Sequence, residues 1–228
     1  MITVNSNTLQ SFCMYLKKYC ETDNDEFIFC FRGHKSTSFE YKPTILRKDS
    51  FLKHEKEIQK DVINRYPDKF NSFENMTAED LALMQHYGIP TRFLDITFNP
   101  FVALFFASEH LEKSSKIDIA GEVAVFKIPK DKVAYSQKNT LENRKEEVCL
   151  IKTAFDNPRI RIQNGGFLYF GNSGPEKIPE EWFLLKIKIQ NSKKKSVREE
   201  LAIMNITEST IYPELEHFRS EIERLYSK

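Results

Sequence analysis

The run PFVALFFA, from Pro100 to Ala107, constrains this chain more than any other segment. Asn99-Pro100 reads as a helix cap followed by the first helical residue, and the helix NPFVALFFASEHLEK that follows is apolar on nearly every side until Ser108. A helix with no polar face has to be central and buried.

Directly before it, QHYGIPTRFLDIT (Gln85 to Thr97) places a histidine, an arginine and an aspartate around a Gly-Ile-Pro turn. Thr77 caps the helix TAEDLALMQHYG, with Glu79 and Asp80 favoured by the dipole in its first turn and Gly88 as a left-handed terminator. His86 and Tyr87 then fall in its last turn. TRFLDIT reads as a short strand. The structural reading has His86 interacting with the end carbonyls of its helix, and Arg92 and Asp95 in a buried salt bridge. Arg92 and Asp95 are three apart, so on a strand they point to opposite faces and each needs its own partner.

The remaining elements follow from periodicity. TLQSFCMYLKKY carries Leu9, Phe12, Cys13 and Leu16 at helical spacing behind a polar cap at Ser6 or Asn7. FIFCFRG is a buried strand that ends at Gly33, so Arg32 is expected at the strand's end. Ser50 to Tyr66 is read as one helix through Phe51, Ile58, Val62 and Tyr66, closed by Pro67. GEVAVFKI and WFLLKIKI are strands, and DNPRIRIQNGGFLYFGNSG between them combines a turn, an arginine-rich stretch and a strand. NSKKKS is expected to be a solvated surface loop, and VREELAIMNI and YPELEHFRSEIERLY to be helices, the latter with Leu215, Phe218, Ile222 and Leu225 on one face. No repeat or linker is visible. The expectation is a single α+β domain over residues 1–228, with its motif core at about 27–170 and its C-terminal strand and helices at 180–228.

Composition narrows the function classes. The 34 basic and 33 acidic residues cancel, so nucleic-acid or anionic-membrane binding would need a local patch. MITVNSNTLQ lacks the positive start and apolar run of a signal peptide, and nowhere do about eighteen apolar residues run uninterrupted, so the expectation is a soluble cytoplasmic chain with no membrane partner. Walker, G-x-G-x-x-G, H-E-x-x-H and zinc-type spacings are absent, and the four cysteines form no C-x-x-C pair. No metal is expected, and the thiols read as reduced and structural. The STS string at Ser36 to Ser38 reads as an ordinary turn.

Two residues outside the opening stretch invite chemistry. Arg32 is a fixed cationic fork, and Gly33 after it would let a ligand approach the backbone, which suits diphosphate or carboxylate recognition. An internal ion pair with Asp95 or a glutamate suits Arg32 equally. Gln163 is placed to hydrogen-bond a ribose or amide while Phe167 stacks; satisfying a turn is its bland alternative.

Taken together, FRG (Phe31 to Gly33), QHYGIPTRFLDIT, ALFFA (Ala103 to Ala107) and the element R-I-x-x-Q-x-G-x-F resemble the FRG domain family, from about Phe27 to Phe167. YPELEHF is similar to the family's closing helix. Ile96 stands where many relatives have tryptophan. The order of elements resembles, more distantly, the ADP-ribosyltransferase fold in its Arg-Ser-Glu version, implying a central mixed or antiparallel sheet with flanking helices. That resemblance implies that Arg32 holds the diphosphate of NAD, that Thr97 or Thr91 takes the Ser/Thr position, and that Gln163 stands at the place of the catalytic glutamate. A neutral glutamine cannot stabilise an oxocarbenium by charge, so another acid, Asp95 or Glu176, would be needed.

The leading expectation is a nucleotide-handling protein: a transferase or NAD glycohydrolase with NAD as substrate, acting as a bacterial toxin or phage-defence effector. Its site would comprise Asp95 and Gln163 for catalysis, with Arg32, Gly33, His86, Arg92, Thr97 and Phe167 for binding. The alternative is a non-catalytic domain that recognises nucleic acid or protein through Lys193 to Lys195, Arg159, Arg161 and exposed aromatics. A third reading makes Arg32, Arg92 and Asp95 a structural network.

Overall fold

A computed structural model describes residues 1–20, 25–110, 119–135, 140–152, 157–212 and 226. In chain order its regular elements are β1 (Ile2–Asn5), α1 (Leu9–Tyr19), β2 (Phe27–His34), α2 (Asp49–Lys53), α3 (Glu55–Arg65), α4 (Ala78–His86), β3 (Phe93–Thr97), α5 (Pro100–Ala107), β4 (Gly121–Pro129), β5 (Val133–Tyr135), α6 (Thr140–Asn143), β6 (Val148–Lys152), α7 (Pro158–Ile162), β7 (Gly165–Phe170), β8 (Phe183–Ile189), α8 (Asn191–Ile203) and α9 (Glu208–Ile211). The closing helix expected from Leu215, Phe218, Ile222 and Leu225 lies outside the described residues. No helix among the described residues is long and apolar enough to cross a membrane.

The strands form one sheet in the order β1-β8-β4-β2-β3-β7-β6-β5. It is antiparallel except for its two outermost pairs, β1 with β8 and β5 with β6, so the fold is the expected α+β arrangement with a mixed sheet. Strand alternation sorts the apolar side chains onto its two faces. One face carries two separate clusters. The first packs α1, α5 and α8 onto Phe31, Val123, Val125 and Leu185, and the second packs α3 and α4 onto Phe93, Phe167 and Tyr169. The opposite face carries one continuous cluster through Cys30, Leu94, Phe126, Leu150, Leu168 and Trp182.

As its composition requires, α5 is buried: Val102, Ala103, Leu104, Phe105 and Ala107 are all essentially inaccessible. It lies directly on the sheet because two glycines permit it. A Cβ added to Gly33 would stand 1.8 Å from the Ala103 carbonyl oxygen, and one added to Gly121 would stand 1.8 Å from the Ala107 carbonyl oxygen. Gly33 therefore serves helix-on-sheet packing, a reason for glycine there that differs from ligand access to the backbone.

Several expectations change. Residues 50–66 form two helices broken at His54, because Phe51 and Leu52 pack into the cluster on one sheet face and Val62 and Ile63 into a cluster on the other. One straight helix cannot reach both faces. NSKKKS is not a loop but the first turns of α8, and Lys194 within it is wholly buried, donating to the carbonyls of Lys35 (2.7 Å) and Glu109 (3.0 Å). PRIRI is a short helix, α7, with Pro158 at its start and the Asn157 side chain accepting from the Arg159 amide at 2.9 Å. β2 runs one residue past Gly33, so Arg32 sits inside the strand rather than at its end.

Gly33 yields a direct test. Gly33→Ala forces a methyl into the α5 backbone and is expected to cost about 3 kcal/mol, lowering Tm by roughly 6–12 °C in thermal melts. Gly88→Ala, at φ +76° with nothing within 4 Å of the new methyl, is expected to cost only about 1–2 kcal/mol for the left-handed backbone. Equal losses from the two variants would contradict the steric account.

Candidate functional site

The site begins where two strands part. β2 stays paired with β4 from Phe27 to His34, and β3 stays paired with β7 from Phe93 to Thr97, but β2 and β3 meet only at Phe31 and Thr97. Beyond that pair the ladder between them is open, and its backbone groups need other partners. Arg32 supplies one. Its Nη1 donates to the Asp95 carbonyl oxygen, bridging the gap, while its Nε donates to His34 Nε2 at 2.8 Å.

Above this split, on the face that carries the two separate clusters, lies a cavity of about 250 Å³. Phe31, Gly33, Asp95 and Thr97 line its base; Ala82, Gln85 and His86 come from α4, Phe106 from α5, Arg159 and Ile160 from α7, and Gln163 and Phe167 from the segment after it. The structure thus brings together Arg32, Gly33, His86, Asp95, Thr97, Gln163 and Phe167.

The polar groups are held individually. Asp95 is the only carboxylate lining the cavity among the described residues, and its side chain is 64% exposed. Oδ1 accepts from Gln85 Nε2 at 2.6 Å, and Oδ2 lies 3.9 Å from Arg32 Nη1. Gln85 is oriented in turn by the Thr91 hydroxyl, which donates to its Oε1 at 2.6 Å. Burial pulls the Arg32 guanidinium below its usual range and Asp95 pushes it back up. It keeps its charge. With Arg159 on the opposite wall, two cationic forks and one carboxylate give the cavity a positive balance.

Other candidates are committed to the frame. The Thr97 hydroxyl donates to the Gln163 carbonyl (2.6 Å) and accepts from the Asn99 amide (3.0 Å), tying the end of β3 to the end of α7. Gln163 Nε2 donates to the Ile211 carbonyl at 3.1 Å, and the Arg159 guanidinium stacks over Tyr212 at 4.8 Å, so α9 and Tyr212 back this wall. Phe167 gives one ring face to Phe93, at 4.7 Å between centroids and 17° between planes. Glu176 is exposed and does not line the cavity. Burial pushes the Cys20 thiol up to about 11 and that of Cys149 up to about 12, and raises Cys30 further, so these three are poor nucleophiles.

Arg92 lies elsewhere. It is buried against Glu55, with Nε 2.8 Å from both carboxylate oxygens and Nη2 2.6 Å from Oε2, and Nη1 donates to the Gly171 carbonyl at 3.2 Å. Arg92 and Asp95 do have separate partners, as their spacing requires. The residues that sequence reasoning passed over are Gln85, His34 and Glu55. Gln85 carried a usable signal, since Ala82, Gln85 and His86 share one helix face; Glu55 carried none, because its partner is remote in sequence. Glu55→Ala strands the Arg92 charge and is expected to cost about 3–5 kcal/mol in denaturant unfolding. Replacing both Glu55 and Arg92 by methionine should recover most of that loss; failure to recover would mean that the pair contributes more than mutual neutralisation.

The FRG domain family model matches residues 28–116. Comparisons with the curated proteins and with the solved structures find no match. The matched stretch holds Arg32, Gln85, His86, Asp95 and Thr97, whereas the wall from α7 to Phe167 lies beyond it. Over residues 28–116 the chain is thus similar to the FRG domain family.

Proposed function

We propose that the cavity binds a nucleotide, with NAD as the ligand of choice, and that the protein is an ADP-ribosyltransferase-like transferase or NAD glycohydrolase. The observation that carries this reading is the convergence of Arg32, of His86 and Asp95, and of Gln163, from three separate parts of the chain, on one cleft over an opened sheet. Arg32 and Arg159 suit phosphate oxygens, and Gln85 and Gln163 suit hydroxyl or amide groups. Asp95 takes the electrostatic role that Gln163 cannot. As the bond from ribose C1′ to nicotinamide breaks and the electron pair leaves with nicotinamide, a nearby carboxylate stabilises the oxocarbenium, and water or an acceptor nucleophile then attacks C1′. Action as a toxin or phage-defence effector in the cytoplasm would follow from NAD consumption and stands with it.

The interaction-domain alternative has less support. Lys194, the middle of its lysine run, is buried on backbone carbonyls and cannot meet a partner. The two readings also differ in salt response, because phosphate-driven nucleic-acid binding weakens steeply with ionic strength and pocket binding changes little.

Isothermal titration is expected to show NAD binding that Arg32→Ala weakens about 10–100-fold, the value of a charge-assisted contact. Asp95→Asn should keep binding within a few-fold while nicotinamide release, followed by chromatography, falls by at least about 100-fold. No binding of NAD or any other nucleotide to the unaltered protein would sink the proposal, and unchanged turnover in Asp95→Asn would remove the catalytic role of that carboxylate.

A further inference from the structure

We infer that His34 is the positioning residue for Arg32: a neutral acceptor that fixes the guanidinium fork without cancelling its charge, leaving the Nη end for one oxyanion of the ligand. Its consequence for binding rests on the nucleotide reading above, whereas the contact itself does not.

A guanidinium carries five N–H donors in a planar fork. His34 takes the Nε–H, and the Asp95 carbonyl takes an Nη1–H. The remaining donors lie at the Nη end, suited to two contacts with a single phosphoryl or carboxylate group. The acceptor nitrogen has to be unprotonated, which puts the ring hydrogen of His34 on Nδ1. Burial, with Arg32, Arg47 and Lys186 adding to it, pushes His34 down to about 3, so the imidazole stays neutral across the physiological range.

His34 is itself fixed from behind. Its ring stacks on Tyr41 at 4.5 Å and 26°, with the edge of Phe39 at 6.0 Å. The Tyr41 hydroxyl donates to Glu122 Oε1 at 2.6 Å, and Lys186 Nζ lies 3.2 Å from the same oxygen. Glu122, the carboxylate behind the ring, is therefore paired with Lys186, and the carboxylate beside Arg32, that of Asp95, comes only to 3.9 Å of Nη1 and leaves Nε to the imidazole. Arg92 shows the other outcome within the same chain: its Nε and Nη2 both face the carboxylate of Glu55, so its charge is neutralised and it braces the fold. The difference in partner, imidazole against carboxylate, separates an arginine kept for a ligand from one spent on structure.

The test compares His34→Phe, which keeps a flat ring against Tyr41 but has no acceptor, with His34→Gln, whose side-chain oxygen accepts. In the unaltered protein the Arg32 Nε–H signal in 15N NMR, assigned by its loss in Arg32→Lys, is expected to exchange slowly and to couple across the hydrogen bond to His34 Nε2. In His34→Phe that signal should move toward the position of a solvated arginine, and affinity for NAD and for inorganic pyrophosphate should fall about tenfold. His34→Gln should hold both within about threefold of the unaltered protein. An unshifted Arg32 signal in His34→Phe overturns the inference, as does unchanged NAD affinity there while Arg32→Ala still loses it. If the unaltered protein binds no nucleotide, the proposed function fails, and the NMR comparison still decides the role of His34. If His34→Phe does not fold, the coupling in the unaltered protein and the His34→Gln spectrum carry the decision, and absence of the coupling overturns it.

Discussion

The parting of β2 from β3 is the constraint on which the rest of this structure depends. A sheet this wide normally closes every ladder, because an unpaired buried amide or carbonyl is costly. Here the two central strands meet at a single residue pair, and each keeps its full ladder on its other side. Arg32 bridges the opening with a side-chain hydrogen bond where a backbone one would stand. The cavity exists because the ladder is left open at that point, and α4, α5 and α7 stand around it.

The apolar helix α5 makes that opening tolerable. With its backbone against Gly33 and Gly121, it holds β2 and β4 together on one side of the split, while the stacked pair of Phe93 and Phe167 holds β3 and β7 on the other. Thr97 then joins the two halves at the one point of contact, through its backbone pairing with Phe31, while its hydroxyl holds the end of α7. The polar stretch that precedes α5 is therefore a wall between two rigid bodies of apolar packing. Its Gln85, oriented by Thr91, sets the direction of Asp95.

Much of this was legible in the residues. The cap at Thr77, the terminator at Gly88, the Asn99-Pro100 start and the burial of α5 all follow from local rules, because capping, left-handed turns and all-apolar helices are decided within a few residues. The sequence also named most of the side chains that meet in the cavity. It misjudged elements whose conformation is decided by distant partners. Lys194 looks like one of three solvated lysines until the carbonyls of Lys35 and Glu109 are brought to it, and the break at His54 has no local breaker, only two halves that serve opposite faces of the sheet.

The arginines show where the boundary falls. Spacing alone determined that Arg92 and Asp95 could not share a strand face, since side-chain direction along an extended chain alternates with every residue. It left Arg32 undecided between ligand and ion pair, because that choice depends on which groups other strands and helices deliver to its fork. The tertiary structure gave Arg92 the carboxylate of Glu55 and gave Arg32 the imidazole of His34 beside a half-open ladder. Local sequence determined the elements and the side chains they present; long-range packing decided which charges were neutralised and which remained facing a cavity.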